Sequence, residues 1–372
     1  MISPNKPVVV YGASGYTGML IIEQLIELSI PFIAAGRNAE KIKANMAERV
    51  AGLENGDYEI VQVEHTVEAL TDLFTGARVV CNTVGPFLKY YREVVQACLN
   101  AGCHYQDTTG EQAYSLQVEQ EFGEAFASKE LVLAPATSYM YVPLHIAAEL
   151  CLEQGDIDTL ECASVPTVIP TVGSANTIMM VLLEKALYLE DNQFVEWNLG
   201  DSREVVTPGF ATTNLGLPWG GTQIPQYYKN DHRVRNCSAL VGFPDRELMS
   251  GLVQQAILMK EKVEGKSPED RAAILDEFAR GLTPTMPPRE KSTVNRNIDH
   301  VVGRGNLKEV SATLIGIYPY ITTGAIQAYC ARRLIANSHN RVGFTSACEA
   351  YGHREILNFL EDRGLVSHRI NA

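Results

Sequence analysis

The chain has 372 residues, of which 46% are hydrophobic and 20% charged, a balance typical of globular proteins. This length exceeds what one hydrophobic core usually covers, so two domains are expected. Asp and Glu outnumber Lys and Arg by 44 to 31, and the resulting net charge of −13 argues against nucleic acid and anionic membranes as partners.

The first predicted elements are an apolar strand from Pro7 to Tyr11, a glycine turn and a helix from Met19 to Leu28. The turn, Gly12-Ala-Ser-Gly15-Tyr-Thr-Gly18, has the spacing G-x-x-G-x-x-G. Its first glycine permits a tight turn, the second lets backbone amides approach a pyrophosphate, and the third lets helix pack on strand. Between a strand and a helix, this triplet predicts a dinucleotide site rather than an ordinary turn. The predicted contacts are Gly12, Ser14, Gly15, Tyr16, Thr17 and Gly18.

A second strand, Phe32 to Ala35, leads into Gly36-Arg37-Asn38. NAD-specific domains usually place a carboxylate here to bind the ribose 2′-hydroxyl, and this chain has none. Arg37 is placed to make paired hydrogen bonds to a 2′-phosphate, and Lys41 follows one helical turn later. The predicted cofactor is therefore NADP(H), with Arg37, Asn38 and Lys41 at its 2′-phosphate end. The alternative is that Arg37 is a solvated residue that opens the next helix.

Strands and helices continue to alternate up to the strand from Leu131 to Ala134, which predicts an α/β fold with a Rossmann doubly wound parallel sheet. In such sheets the ligand crevice lies at the carboxyl ends of the strands. The strand from Arg78 to Cys81 ends there, so the residues that follow it are predicted to meet the cofactor. These are Asn82, Thr83, Gly85 and Pro86.

These motifs together resemble the saccharopine dehydrogenase-like oxidoreductases, a family that includes the trans-acting enoyl reductases. The resemblance rests on the glycine turn, Ala35-Gly-Arg-Asn38, Asn82-Thr-Val-Gly-Pro-Phe87, and Gly102-Cys-His-Tyr-Gln-Asp-Thr-Thr-Gly-Glu111. It covers about two fifths of the chain and does not fix the substrate. In one departure, Met140 replaces the acidic residue of the family's Gly-Phe-Asp-Ser segment, so no role of that residue is transferred.

The resemblance implies an NADP-binding domain over residues 1–150 and a second α+β domain, built on a mixed sheet, over 151–322. Terminal helices, about 323–372, are implied to pack back on the first domain. In the second domain, Thr159 to Val168 reads as a strand and Ala175 to Leu189 as a helix. Residues 205–235, with Arg233 and Arg235, form either a lid over the site, a sheet edge or an oligomer contact.

Three residues are candidates for the proton donor or for orienting the substrate. Tyr141 is the first candidate, because it follows the last predicted Rossmann strand, and His145 lies one helical turn further on. Asp107 ends another strand of the sheet. The alternatives are interface packing for Tyr141 and a hydrogen-bonded helix residue for His145.

The leading hypothesis is an NADP-dependent reductase that transfers hydride to an activated C=C or C=N bond of a small metabolite or carrier-tethered chain. No tyrosine has a lysine four residues later, which argues against short-chain dehydrogenases. The alternatives are a saccharopine-type amino-acid dehydrogenase, for which Arg233 and Arg235 are the possible cationic contacts, and a non-catalytic NADP-binding redox sensor.

The eight cysteines and eight histidines lack the spacing of zinc or redox sites, so no metal site is predicted. The cysteines are expected to be buried or free thiols. No apolar run approaches the roughly 20 residues that cross a bilayer, and the N-terminus lacks the pattern of a signal peptide. A cytoplasmic protein is expected, with a homodimer as the default assembly.

Overall fold

The computed structural model describes residues 6–198, 200–209, 211–218, 223–282 and 286–372, which form two compact units. The first unit comprises residues 6–109, Tyr114–Tyr139 and Tyr320–Asp362. The second comprises Gly110–Ala113, Met140–Pro319 and Arg363–Ala372. The helix that begins at Tyr141 therefore falls in the second unit, although the predicted domain boundary was at 150.

In the first unit, strands and helices alternate from the start of the described chain. They are β1 (Val8–Tyr11), α1 (Tyr16–Glu27), β2 (Phe32–Gly36), α2 (Ala39–Arg49), β3 (Tyr58–Gln62), α3 (Val67–Phe74), β4 (Val79–Asn82), α4 (Phe87–Ala101), β5 (His104–Asp107), α5 (Gln112–Ser128) and β6 (Val132–Ala134).

The second unit contains most of the remaining chain. Its elements are α6 (Tyr141–Leu152), β7 (Thr159–Pro166), α7 (Val172–Leu183), β8 (Leu187–Glu190), β9 (Gln193–Glu196), β10 (Arg203–Val205), β11 (Asn214–Leu217), α8 (Gln223–Tyr228), β12 (Asn236–Phe243), α9 (Arg246–Val263), α10 (Pro268–Leu282), β13 (Arg296–Arg304) and β14 (Glu309–Ile317). The chain ends with α11 (Pro319–Ile335), β15 (Gly343–Phe344), α12 (Ala347–Tyr351), α13 (His353–Asp362) and β16 (Val366–Asn371).

The sheet of the first unit is parallel throughout and has the order β15-β6-β5-β4-β1-β2-β3. The order reverses between β1 and β4, which creates the crevice where doubly wound sheets bind ligands. All residues of β1, β2, β4 and β5 are buried, because helices cover both faces of a parallel sheet. The predicted Rossmann fold is therefore confirmed, with β15 as a strand that the sequence analysis missed.

The second unit is built on a mixed sheet, which confirms the predicted α+β architecture. Its main path is β10-β11-β12-β7-β13-β14-β16; off this path, β8 pairs with β12 and β9 pairs with β8. Helix α6 packs on β13 and β14. The last strand pairs antiparallel with β14. Residues 363–372 therefore belong to this unit, whereas the sequence analysis assigned the whole segment 323–372 to the first domain.

Two other predictions about the second unit can be compared with the structure. One is wrong, and the other can be compared only in part. The helix predicted to reach Leu189 ends at Leu183, and β8 begins at Leu187, because this short segment pairs with β9 and β12. The segment 205–235 contains the strand β11 and the helix α8. Its role as a lid, a sheet edge or an oligomer contact stays a prediction. Phe210 and Trp219, two aromatic residues of this segment, lie outside the described residues. All eight cysteines are buried and unbridged.

None of the helices in the described ranges has both the length and the apolar composition that a membrane crossing needs.

Candidate functional site

The glycine turn between β1 and α1 is a backbone cradle that side chains would fill. Gly12 has φ +94°, and a Cβ atom there would lie 2.5 Å from the Thr83 hydroxyl oxygen. A Cβ atom at Gly18 would lie 2.6 Å from the carbonyl oxygen of Gly12. The amides of Gly12 and Ala13 both donate to the Ala35 carbonyl, which anchors the turn to β2. Glycine is therefore required for both the turn and the close packing of helix on strand.

Helix α1 begins at Tyr16, directly after Gly15. The first amides of an α-helix have no carbonyl partner within the helix and carry the positive end of its dipole. Gly15 has no side-chain oxygen with which to accept from them. The amides of Thr17 and Gly18 are thus suited to an anion, as predicted for the cofactor pyrophosphate.

The polar residue Asn45 holds this turn in place and was not found by sequence reasoning. Its side-chain amide donates to the carbonyl oxygen of Ser14 at 2.8 Å. Asn45 lies on α2, 31 residues after Ser14, so no local motif could have indicated the contact.

Arg37 and Lys41 lie in the exposed segment that follows β2. Asn38 is the N-cap of α2, and its side-chain oxygen accepts from the Lys41 amide at 2.8 Å. The cap gives Asn38 a structural role that the sequence analysis did not predict. The exposed guanidinium and ammonium groups remain the pair suited to a 2′-phosphate.

Asn82 and Thr83 support the turn from the end of β4. The buried Asn82 amide donates to the Tyr105 hydroxyl, and its oxygen accepts from the Val84 amide, both at 3.0 Å. The Thr83 hydroxyl donates to the Tyr11 carbonyl at 3.0 Å. These side chains therefore shape the loop.

Gly85 and Pro86 complete that loop immediately before α4 begins at Phe87. Gly85 is exposed and Pro86 is half-buried. Their contacts with a cofactor stay predictions.

Asp107 is completely buried at the end of β5. Its carboxylate accepts four hydrogen bonds, from the hydroxyls of Tyr105 and Tyr114 at 2.8 and 2.6 Å and from the amides of Thr109 and Ala136, both at 2.9 Å. Burial raises the pKa of Asp107 to about 6, and these donors act in the opposite direction. With both oxygens engaged, the geometry favours a structural role over the predicted catalytic one.

Tyr141 begins α6 and is only 7% exposed. Its hydroxyl lies against Gly110, where a Cβ atom would overlap the hydroxyl oxygen. The buried carboxylate of Glu111 accepts from the Thr177 hydroxyl at 3.3 Å. Burial, and secondarily the negative charge of Glu111, raises the pKa of Tyr141 far above its ordinary value. Tyr141 therefore keeps its proton at neutral pH, as a general acid must.

His145 lies one turn further along α6, inside an aromatic and ionic cluster. Its ring stacks on Tyr227 with centroids 5.1 Å apart and meets Tyr228 edge-on at 5.2 Å. Its Nε2 atom is 3.7 Å from the Glu149 carboxylate. These contacts favour the alternative of a hydrogen-bonded helix residue over catalysis.

Arg233 and Arg235 are also engaged by carboxylates. The Arg233 guanidinium donates to both oxygens of Glu149 at 3.1 Å and also pairs with Asp231. Burial alone raises the pKa of Glu149, but the nearby His145 and the hydrogen bonds and charge of Arg233 outweigh it and hold that pKa well below its ordinary value. Arg235 pairs with Asp191 at 2.5 Å.

Comparison with known families gives two matches along the chain. Residues 144–372, more than half of the chain, match the model described as "Family of unknown function (DUF5938)". The chain belongs to this family. Residues 8–130 of this DUF5938 protein match the saccharopine dehydrogenase NADP binding domain. The predicted family resemblance and the predicted NADP(H) cofactor are thereby confirmed, and the protein is related to NADP-dependent oxidoreductases.

Curated relatives of the DUF5938 protein match parts of it. A lipid droplet localized protein of Caenorhabditis elegans is 26% identical over 163 residues, which are 41% of this chain and 38% of the relative. The trans-acting enoyl reductase of Mycobacterium ulcerans is 34% identical over 107 residues, 28% of this chain and 25% of the relative. The trans-acting enoyl reductase of Mycobacterium leprae is 33% identical over 116 residues, which are 30% of this chain and 27% of the relative. The aligned part of the chain thus spans about a quarter to two fifths of these relatives' length.

Solved structures show more distant likenesses. A probable dehydrogenase from Thermotoga maritima aligns with 98% of both chains, at 10% identity and a TM-score of 0.45. A metagenomic short-chain oxidoreductase in complex with NADP aligns with 36% of this chain and 81% of its own, at 17% identity and a TM-score of 0.26.

Within the described residues, no group of three or more His, Cys, Asp and Glu side chains is arranged to hold a metal ion.

Proposed function

We propose that this protein is an NADP-dependent reductase that transfers hydride to an activated C=C bond of a small or carrier-tethered substrate. The main support for the proposal is the Tyr141 hydroxyl, which is protonated at neutral pH and buried against Gly110. The same chain has an NADP-binding domain. The relatives described as trans-acting enoyl reductases support the same reaction class.

Each part of the reaction has a candidate in the chain. When bound, NADPH supplies the hydride. The amides at the start of α1 hold the pyrophosphate, and Arg37 and Lys41 hold the 2′-phosphate. Gly12 and Gly18 keep side chains out of the cradle, so that the backbone can approach the cofactor. Tyr141 gives a proton to the substrate atom that would otherwise keep the negative charge, and solvent protons restore the hydroxyl afterwards.

The relatives described as trans-acting enoyl reductases favour a C=C bond over a C=N bond as the hydride acceptor. When a conjugated C=C bond accepts hydride, the carbon beside the carbonyl gains negative charge, and the Tyr141 hydroxyl can give that carbon a proton. A C=N bond is usually reduced as the protonated iminium, whose nitrogen already carries its proton and needs no such donor.

The charges near Tyr141 disfavour the saccharopine-type alternative. Its acidic amino-acid substrates require cationic contacts, whereas the ionisable group that acts on the pKa of Tyr141 is the carboxylate of Glu111. The predicted cationic contacts, Arg233 and Arg235, are engaged by carboxylates. Arg233 binds Glu149, which lies two turns along α6 from Tyr141, roughly 12 Å at 1.5 Å per residue.

The test is NADPH oxidation with a series of α,β-unsaturated thioesters and ketones. Tyr141→Phe should lower kcat by about 100-fold or more and leave the NADPH dissociation constant unchanged. Tyr228→Phe, which removes another buried hydroxyl of the same unit, is the matched control and should retain kcat. Turnover unaffected by Tyr141→Phe would reject this proton donor. Tight NADPH binding without turnover of any unsaturated, imine or keto-acid substrate would favour the redox-sensor alternative.

A cytoplasmic location and a homodimer belong to the same proposal and rest on the sequence analysis alone. Fractionation of the source cells and sedimentation of the purified protein test them.

A further inference from the structure

A cluster of nitrogen donors lies at the amino edge of the parallel sheet, opposite the edge of the proposed cofactor site. Arg78 immediately precedes β4 and His104 begins β5, and the His104 amide donates to the Arg78 carbonyl at 2.9 Å. His339 lies between α11 and β15, and its ring meets that of His104 edge-on with centroids 5.3 Å apart. These three residues are called the amino-edge cluster, and none of them has a role in the proposed reaction.

The buried imidazole of His104 is a hydrogen-bond donor. Its side chain is only 2% exposed, and its Nδ1 atom accepts from the Val132 amide at 2.9 Å. A neutral imidazole whose Nδ1 accepts carries its proton on Nε2. Burial, and secondarily His339 and Arg78, lower the pKa of His104 to about 4, so the ring is neutral at physiological pH. Its Nε2 donor nevertheless makes no hydrogen bond to any residue in the described part of the chain, which is unfavourable for a buried group.

The other two members of the amino-edge cluster add a positive charge and a way in from solvent. Arg78 donates through Nη2 to the Asn337 side-chain oxygen, and no carboxylate within the described ranges pairs with its guanidinium. Both Arg78 and His339 are half-buried. The Nδ1 atom of His339 is buried and, among the described residues, also has no hydrogen-bond partner. Burial and then the charge of Arg78 lower the pKa of His339, so the guanidinium acts electrostatically on both imidazoles.

The chemistry of the amino-edge cluster suits an anion and not a metal ion. In His104, Nδ1 is engaged as an acceptor and Nε2 carries the proton, so the ring has no nitrogen lone pair left for a cation. The guanidinium of Arg78 also repels cations, whereas its planar fork matches two oxygens of a carboxylate or a phosphate. Although the chain has a net charge of −13, no acidic side chain of the described residues is among the groups that shift the pKa of either imidazole.

We propose that Arg78, His104 and His339 bind a small oxyanion, either a phosphate or a carboxylate group, at the amino edge of the parallel sheet. Arg78 supplies charge-assisted hydrogen bonds, and the Nε2 donor of His104 binds an oxygen at the buried end of the site. Because β5 runs from His104 to Asp107, the site lies roughly 10 Å from the carboxyl edge, at about 3.3 Å per residue. It is therefore separate from the proposed cofactor site and does not depend on the proposed reaction.

The experiment is calorimetric titration of the whole protein near pH 7.5 with inorganic phosphate and, separately, with acetate, at an ionic strength held constant with chloride. Saturable binding that depends on Arg78 is expected, and the anion that binds more tightly identifies the group that the site takes. Arg78→Gln should weaken this binding at least about tenfold, because it removes the charge and the fork of donors. Arg49→Gln, which removes an exposed arginine of the same unit, is the matched control and should bind like the wild type.

A second measurement observes the imidazoles without changing the buried ring. In protein labelled with ¹⁵N-histidine, the anion should shift the ring signals of His104 and His339 among the eight histidines, and His339→Gln assigns one of the two. Absence of saturable binding of either anion, or binding that Arg78→Gln leaves unchanged, would overturn the inference. Phosphate binding that is lost in Arg37→Ala and kept in Arg78→Gln would place the anion in the proposed cofactor site and would overturn the inference as well.

Discussion

Each of the two units has a carboxyl group that is completely buried, and the two groups are held very differently. Asp107 in the parallel sheet accepts hydrogen bonds from two tyrosine hydroxyls and two backbone amides. Asp299 in the mixed sheet accepts from the Ser164 hydroxyl at 2.5 Å and the Asn297 side-chain amide at 2.7 Å. Burial raises the pKa of Asp107 to about 6 and that of Asp299 to about 7. The carboxyl with more donors thus keeps more of its acidity.

The two carboxyl groups should differ most in how the free energy of unfolding changes when each aspartate is replaced by the uncharged asparagine. Asp107→Asn places an NH2 group against donors that need acceptors, so it should lower the free energy of unfolding by about 3 kcal/mol. Asp299→Asn keeps an oxygen for one donor and removes a buried charge, so at pH 8 it should leave that free energy within about 1 kcal/mol or raise it. Urea unfolding of the three proteins at pH 8 measures both. Equal losses of unfolding free energy in the two variants would contradict the expected difference between Asp107 and Asp299.

The second expected difference is in the pH dependence of stability. Because the folded pKa of Asp299 lies above its unfolded value of 3.8, the folded protein binds more protons between these values. The stability due to protonated Asp299 is therefore complete below pH 4 and is lost as the pH rises through about 7. Between pH 5 and 7 the wild type should lose about 2 kcal/mol relative to Asp299→Asn, at 1.36 kcal/mol per pH unit at most. Unfolding curves at a series of pH values check this, and parallel curves would reject it.

Asp107 and Asp299 also differ in whether the sequence alone could predict them. Asp107 was found because it ends a strand of a regularly alternating βα pattern, and in a parallel sheet all such ends lie at one edge. The glycine turn and Arg37 were found for the same reason. Their chemistry follows from local order along the chain, so the fold of the first unit could be predicted, and the position of its cofactor site stays a prediction made on the same grounds.

Asp299 was missed because its environment depends on strand pairing over long distances in the sequence. It pairs with Ser164, 135 residues earlier, through the antiparallel register of β13 and β7. No local pattern predicts that register. The same limit hid the contact of Asn45 with Ser14, and it hid the partners of Asp107 and His145, whose catalytic roles stay predictions.

The central claim is that the first unit binds NADP(H) with Arg37 at the 2′-phosphate. Its most direct test is a titration of the protein with NADPH and NADH, repeated on Arg37→Ala. Arg49→Ala, which removes an exposed arginine at the other end of α2, is the matched control. We expect a preference for NADPH that falls at least tenfold in Arg37→Ala, with NADH affinity unchanged and the control equal to the wild type. Equal affinity for both cofactors in the wild type, or an undiminished preference in Arg37→Ala, would contradict it.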